Sequence, residues 1–303
     1  MIKVSIDIGS NSVLLLAVEV NPQSNQIEKE ILNLSHVTSL GKDLDKNKSF
    51  LPETMRATFE ALAEYKNQIE KIGVKVEDVV VTATEASRVA SNAKGFYDDV
   101  FKKLGFKTIL ISGEEEAYYT ALGVVSGKRN GNEELVIMDM GGASTELIRV
   151  INKPFKITSS ISLPVGSVRA TDWREALEFD FKMKSILEND FANYQTDTLL
   201  CVAGSMTSLA CIYKGLRAYD DKIIDGLKIE FSTFKNFSYD LQKTSVENLH
   251  LLFPYLGKRA PMLPAASAVA VLIGEKLGIK NIEISTRGLR YGTILEGVNH
   301  GRC

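Results

Sequence analysis

The chain has 303 residues, 45% hydrophobic and 24% charged, with a formal net charge of −2; that is one or two globular domains with a sizeable core and no net field to gather a polyanion. No basic-aromatic motif favours nucleic acid, the apolar runs fall short of the roughly 20 residues a spanning helix needs, and the N-terminus has no cleavable signal pattern. Cys201, Cys211 and Cys303 form neither a metal spacing nor an even disulfide set, so the expectation is a cytoplasmic protein with no nucleic-acid and no membrane partner.

In chain order, strand-like and helix-like segments alternate, which is an α/β signature. "IKVSIDIGSNSVLLLAVEV" predicts two strands around a tight polar turn. Residues 53–72 carry apolar residues at helical spacing without proline. A buried strand is predicted at 76–84, one helix at 85–105, a strand at 106–112 and a helix from Gly113. "ELVIMDMGGASTELIRV" at 134–150 again predicts two strands around a polar turn. A helix follows at 172–194, and 198–213 reads strand, glycine turn, helix. The end reads helix 263–277, strand 281–285 and a last helix near 288–297.

The two polar turns echo one another. Asp7-x-Gly9-x-x-Ser12 and Asp139-x-Gly141-x-x-Ser144 share D-x-G-x-x-S, stand 132 residues apart, and each lies between apolar strands. A repeat on that scale suggests two related domains, with the boundary in the Gly- and Asn-rich stretch 124–134.

The chemistry of these turns suits phosphate. Glycine admits a close ligand, and successive turn N–H groups can form a nest for phosphate oxygens. Ser10, Asn11, Ser12, Ser144 and Thr145 add neutral donors. Asp7 and Asp139 at the strand ends would repel phosphate unless Mg²⁺ lay between, held by carboxylates, waters and phosphate oxygens. Two plain hairpins with Asx-type turns are the structural alternative. Glu114, Glu115 and Glu116 open a helix, where carboxylates favour the positive end; one of them, or Glu146, could serve as a general base for water. Arg88 could pair bidentately with phosphate or form a surface ion pair. "VAGSMTSLA" (202–210) could approach a ligand or pack helix on strand. His36, His250 and His300 fit no metal or triad pattern, and no G-x-x-x-x-G-K-[ST] occurs.

The stretches "SIDIGSNSVLLL", "ATEASRVASNAKGF", "ISGEEEAYYTALGV", "DMGGASTEL", "SLPVGSVRAT" and "LGIKNIEISTRGLRYGTIL" resemble, in order, the exopolyphosphatase / guanosine pentaphosphate phosphohydrolase (Ppx/GppA) family. The resemblance implies the actin/sugar-kinase/Hsp70-like fold, with two ribonuclease-H-like domains facing across a cleft. The expected domains are 1–125 with a C-terminal segment 286–303 returning to it, and 126–285. It implies Glu116 as general base and Glu146 as a second catalytic carboxylate that places water or metal. Asp7, Asp139 and Glu146 are the implied metal-associated acids, with Mg²⁺ as cofactor. Gly9, Ser10, Asn11, Ser12, Arg88, Gly141, Gly142, Ala143, Ser144 and Thr145 are the implied phosphate-binding residues. The implied reaction is hydrolysis of terminal phosphate from inorganic polyphosphate or a guanosine alarmone, by a protein that forms a homodimer. Ala143 stands where the family has a third glycine, which is tolerable at negative φ. Thr38 and Ser39 replace a basic residue, Pro261 an acidic one, Tyr291 a glutamate, and "GSMTS" the usual G-T-x-G-T. These departures bear on substrate range, and the short length implies a preference for shorter chains or nucleotides. An ATP-binding actin/Hsp70-like scaffold and a non-hydrolysing alarmone-binding protein are the competing readings.

Overall fold

An alternating apolar strand and a nearly continuous apolar one, separated by a polar turn, make 2–20 a hairpin in the computed structural model, which describes residues 1–127 and 134–298. Residues 128–133 of the expected boundary, His300, Cys303 and the end of the expected C-terminal segment lie outside the described residues. The hairpin is β1 (Ile2–Ile8) and β2 (Ser12–Val20), paired antiparallel with Asp7 opposite Leu14. β3 (Ile27–Val37) continues the meander. The chain then passes through α1 (Leu44–Asn47) and the long α2 (Pro52–Lys71), started by proline at its first position. β4 (Val80–Ala83) returns parallel to β1. α3 (Glu85–Val89), α4 (Ala93–Leu104), β5 (Thr108–Leu110) and α5 (Gly113–Ser126) complete the first stretch. The sheet order is β3-β2-β1-β4-β5. Its core gathers Ile6, Leu15, Leu62, Tyr65, Val81 and Phe106, all fully buried.

The second stretch repeats that plan. β6 (Glu134–Met140), β7 (Thr145–Ile151) and β8 (Lys156–Leu163) form an antiparallel meander. α6 (Ser167–Glu175) and α7 (Phe179–Leu187) lead to β9 (Thr198–Val202), which lies parallel to β6. α8 (Ala203–Tyr213), α9 (Asp221–Ile224), β10 (Lys228–Glu230), α10 (Phe231–Lys243), α11 (Val246–Leu252), α12 (Leu263–Leu277) and β11 (Asn281–Ile284) follow. The order is β10-β11-β9-β6-β7-β8. Apart from the extra edge strand β10, this is the first sheet's arrangement again: three antiparallel strands, then two joined parallel. Both are ribonuclease-H-like α/β units.

The last helix, α13 (Leu289–Glu296), packs on α5 and β1. The chain thus divides into a first unit of Met1–Ser126 with Leu289–Cys303 and a second of Gly127–Gly288. The boundaries read from sequence, 125/126 and 285/286, lie one and three residues earlier.

Several local expectations change; the strand expected at 76–84 is confined to Val80–Ala83. The single helix at 85–105 is two, because Asn92 leaves the helical path and exchanges two hydrogen bonds with the Phe50 backbone. The helix at 172–194 is also two, broken at Leu177, whose φ is +59°. β3 and β8 were not singled out in the sequence; both are edge strands with little full burial, β3 irregular and β8 alternating exposed with more enclosed positions in a largely polar run. The segment Pro254–Leu277 is long and apolar enough by composition to cross a membrane, which the sequence reading did not register. It kinks at Gly257 and contributes α12, whose Leu263, Ala266, Val269 and Ile273 are fully buried in the second unit's core.

Candidate active site

Each polar turn is built by two requirements of the backbone. In the first unit, the Gly9 N–H donates to the Ser12 carbonyl at 3.0 Å. A Cβ on Gly9 would stand 3.3 Å from that same oxygen. The second turn repeats the numbers: Gly141 N–H to Ser144 carbonyl at 3.0 Å, and 3.3 Å for a Cβ on Gly141. Gly9, Gly141 and Gly142 do not have positive φ, so close approach rather than left-handed backbone demands glycine at 9 and 141. Ala143 is likewise outside the positive-φ region, and the turn accepts its methyl group.

The turn carbonyls are tied back into their own unit. Ser10 carbonyl accepts from the Gly41 N–H at 2.7 Å, and Asn11 carbonyl from those of Thr38 and Ser39 at 3.0 and 2.9 Å. Gly141 carbonyl accepts from the Ser167 N–H at 2.9 Å, and Gly142 carbonyl from those of Val168 and Arg169 at 2.8 and 3.2 Å. Arg169 Nη1 takes the Ala143 carbonyl at 2.6 Å. The N–H groups of Ser10, Asn11, Gly142 and Ala143 make no backbone bond among the described residues. Donors left over while their carbonyls are occupied are what a phosphate nest requires. Asn11 Oδ1 and Thr38 Oγ1, in residues 8% and 5% exposed, also have no hydrogen-bond partner among the described residues. Such groups cost about 1–3 kcal/mol each unless water or ligand completes them.

A second glycine seats each turn. A Cβ on Gly41 would lie 3.0 Å from the Ser10 Cβ, and one on Gly166 only 2.5 Å from the Gly142 carbonyl carbon. Neither glycine stood out in the sequence, because the contact is made across the fold.

The acids differ between units. Asp7 in β1 faces Leu14 on β2 and Thr82 on β4. Asp139 in β6 faces Glu146 on β7, and Glu146 in turn faces Ser162 on β8. Directly opposed residues have Cβ atoms about 4.5–5.5 Å apart, so Asp139 and Glu146 form a carboxylate pair. Ser162 Oγ donates to Glu146 Oε1 at 2.8 Å, and Glu146 is only 3% exposed. Among the described residues no group of three or more His, Cys, Asp or Glu is gathered as a metal cage. Near Asp7, the Tyr97 hydroxyl pairs with Ser87 Oγ at 2.6 Å. Burial pushes the Tyr97 phenol well above its ordinary range, the Ser87 bond opposes this, and the Asp7 charge adds to it.

The three glutamates of α5 separate into three roles. Glu115 and Ser112 form a capping box: Ser112 N–H to Glu115 Oε2 at 2.8 Å, Glu115 N–H to Ser112 Oγ at 3.1 Å. Glu114 is exposed. Glu116 pairs with Arg88, whose Nη1 reaches Glu116 Oε2 at 3.1 Å and the Ile111 carbonyl at 2.7 Å.

At the third small-residue turn, Ala203 has φ +74° and opens α8. Gly204 makes room for Arg259: a Cβ there would be 2.9 Å from Arg259 Nη2. Arg259 Nη1 donates to Ser208 Oγ at 3.3 Å, and burial pushes the guanidinium below its ordinary value, opposed by Tyr219 and Tyr255. The glycine therefore serves a side chain of this chain. His36 pairs with Glu64 and His250 with the Gly257 carbonyl.

The first unit thus holds Asp7, Gly9–Ser12 and the Arg88–Glu116 pair. The second holds Asp139, Gly141–Thr145 and Glu146. Sequence reading missed Gly41, Gly166, Ser162, Tyr97 and Arg169; Ser162, Gly166 and Arg169 lay in a recognised stretch, "SLPVGSVRAT", without being singled out.

Comparison with known proteins places the chain. It is 28% identical over 316 residues to a bifunctional 3-dehydroquinate synthase/phosphatase of Fusobacterium nucleatum, covering 99% of this chain and 47% of that protein. It is 27% identical over 305 residues to a guanosine-5'-triphosphate,3'-diphosphate pyrophosphatase of Aliivibrio fischeri, covering 95% of this chain and 57% of that protein. The chain spans about half the length of these relatives. A solved Ppx/GppA family member from Aquifex aeolicus matches with a TM-score of 0.77 at 26% identity, covering 97% of this chain and 96% of that one. Residues 20–300, which include the second turn and the α5 glutamates but start after the first turn, match the Ppx/GppA phosphatase family. The chain belongs to that family.

Proposed function

We propose that the chain hydrolyses terminal phosphoanhydride bonds, with inorganic polyphosphate or a guanosine pentaphosphate as substrate. The observation that carries this reading is the pair of matched turns, whose carbonyls are occupied and whose N–H groups remain as donors. Such an array suits the non-bridging oxygens of phosphate, because neutral donors hold the anion without a cationic side chain in the turn. Glu116 is the helix-start carboxylate left for chemistry once Glu115 is used as cap and Glu114 lies in solvent. Water attacks the terminal phosphorus, its proton passes to the Glu116 carboxylate, and the bond to the leaving phosphate oxygen breaks. Catalysis here is positioning and electrostatics.

The donor set fits Mg²⁺. Carboxylate and hydroxyl oxygens are hard ligands, and Mg²⁺ needs only one or two carboxylates beside waters and phosphate. Asp139 with Glu146 in the second unit would hold it, and Asp7 is the corresponding candidate in the first; bound, it would neutralise charge on phosphate oxygens. The two opposed carboxylates of Asp139 and Glu146 repel each other, and a cation relieves that repulsion.

Phosphate release with Mg²⁺ from short polyphosphate, long polyphosphate and guanosine pentaphosphate, ranked by kcat/KM, tests the reading. Glu116→Gln should lower turnover about 10²–10⁴-fold, the scale of a general base. A variant with near-full rate removes Glu116 from that role.

A further inference from the structure

One nitrogen of Arg88 is committed within the chain. Its Nη1 is shared between the Ile111 carbonyl at 2.7 Å and Glu116 Oε2 at 3.1 Å. The three residues come from segments that follow neighbouring parallel strands. Arg88 sits on α3 after β4, and its N–H donates to the Thr84 carbonyl. Ile111 directly follows β5, and Glu116 lies in the first turn of α5. β4 and β5 pair through Val81 and Thr108, Thr82 and Ile109, Ala83 and Leu110. A Cβ on Gly113 would lie 4.0 Å from Arg88 Nη2, so the guanidinium runs along the start of α5. The two side chains are 25% and 12% exposed, too enclosed for a pair that solvent would dissolve.

This differs from a phosphate-binding arginine. Bidentate phosphate recognition presents two parallel N–H groups to one anion. Here the short 2.7 Å bond goes to a main-chain carbonyl fixed by the β5–α5 connection, and the same nitrogen reaches the carboxylate. A guanidinium anchored on backbone and touching one oxygen of a carboxylate holds that carboxylate in one rotamer.

We propose that Arg88 is a positioning residue for Glu116, not a ligand of the substrate phosphate. It joins the end of β5 to the first turn of α5 and fixes the carboxylate that takes the proton from water. This inference rests on the hydrolytic reading above.

The test is a double-mutant cycle on a substrate the wild type turns over: Arg88→Gln, Glu116→Gln and the pair, with KM and inhibition by inorganic phosphate measured for each. Arg88→Gln should lower kcat about 10²-fold, the cost of a misplaced catalytic group. KM and the phosphate inhibition constant should stay within about twofold, because no substrate contact is lost. In the Glu116→Gln background, Arg88→Gln should change kcat no further, since residues acting as one unit are not additive. Arg88→Lys should be as impaired as Arg88→Gln, since an ammonium does not reproduce the planar fork. The inference is overturned if KM and the phosphate constant rise about tenfold, if the two substitutions multiply, or if Arg88→Lys restores the rate as a charge serving phosphate would. A wild type that releases no phosphate overturns the hydrolytic reading itself, which a silent wild type distinguishes from a silent variant.

Discussion

The first turn is backed by a loop and the second by a helix, yet both present the same donors. In the first unit, residues 38–41 close over Ser10 and Asn11, with Ser39 at φ +52° and Gly41 against the Ser10 Cβ. In the second, the opening N–H groups of α6 close over Gly141 and Gly142, with Gly166 against the Gly142 backbone. A helix N-terminus is a common anion site, but that of α6 is spent on turn carbonyls. It polarises the turn's peptides rather than facing an anion itself. The second difference is chemical: where Leu14 faces Asp7, Glu146 faces Asp139. One hairpin motif therefore serves as a donor cradle twice, and only the second unit adds a carboxylate pair.

That residue should give the largest effect. Glu146→Leu copies the first hairpin into the second. Phosphate release should fall about 10²-fold or more, the scale of removing one preorganised group from a reacting centre. Urea unfolding should show equal or greater stability, since an enclosed carboxylate gives way to an apolar side chain. Lost stability with retained turnover would make Glu146 a structural residue and the two hairpins equivalent.

Ser162→Ala comes next. A hydroxyl orienting a ligating carboxylate is worth about 10–100-fold in metal affinity or activity. Calorimetric titration with Mg²⁺ should show that weakening and Ser162→Thr should recover it. Unchanged affinity in the alanine variant would detach Ser162 from the site.

Gly166→Ala should then cost about 1–3 kcal/mol in denaturant unfolding, as overpacking does, because the obstacle at 2.5 Å is backbone. Gly41→Ala should cost less, because its nearest neighbour is the Ser10 side chain at 3.0 Å. The reverse order would mean that the loop, not the helix, is the rigid support.

The smallest effect concerns the far ends of the hairpins. The first is tied by the N-terminal ammonium to the Val20 carbonyl at 2.8 Å. The second is tied by Arg149 to Glu134, at 2.6 and 2.9 Å. The hydrogen bond from Arg149 holds the Glu134 carboxyl below its ordinary value; desolvation opposes this and the Arg149 charge adds to it. A depressed carboxyl contributes stability above its unfolded value, and that contribution is lost as pH falls through the folded one. Glu134→Gln should therefore cost under about 1 kcal/mol at pH 7, as an exposed pair does. The difference from wild type should vanish in acid; a difference persisting there would mean packing, not charge, holds this end.

What could be read from sequence was local. β1, β2, β6 and β7 follow from apolar segments flanking the polar turns, and α12 was bounded at 263–277 by its apolar run. The turn glycines repeat at fixed spacing, so both halves of the echo were visible. Ser162 was not, because it meets Glu146 through the register of β7 and β8, which no spacing within the sequence gives. Gly41 and Gly166 act on residues more than 20 positions away, where sequence carries no spacing rule. The choice among Glu114, Glu115 and Glu116 rested on family resemblance. The capping box shows why composition left it open: Ser112-x-x-Glu115 fits the cap as well as any base.

The packing of α13 has a consequence for the order of events at the ribosome. A Cβ on Gly292 would collide with the Tyr119 carbonyl, so α13 lies directly on the backbone of the helix that carries Glu116. The first unit consists of both ends of the chain, and the whole second unit is made between them. During synthesis the second unit is contiguous and can close as it emerges, whereas α5 waits for its partner until residue 292 has left the tunnel. The helix that carries Glu116 therefore reaches its final packing only after the whole second unit has been made.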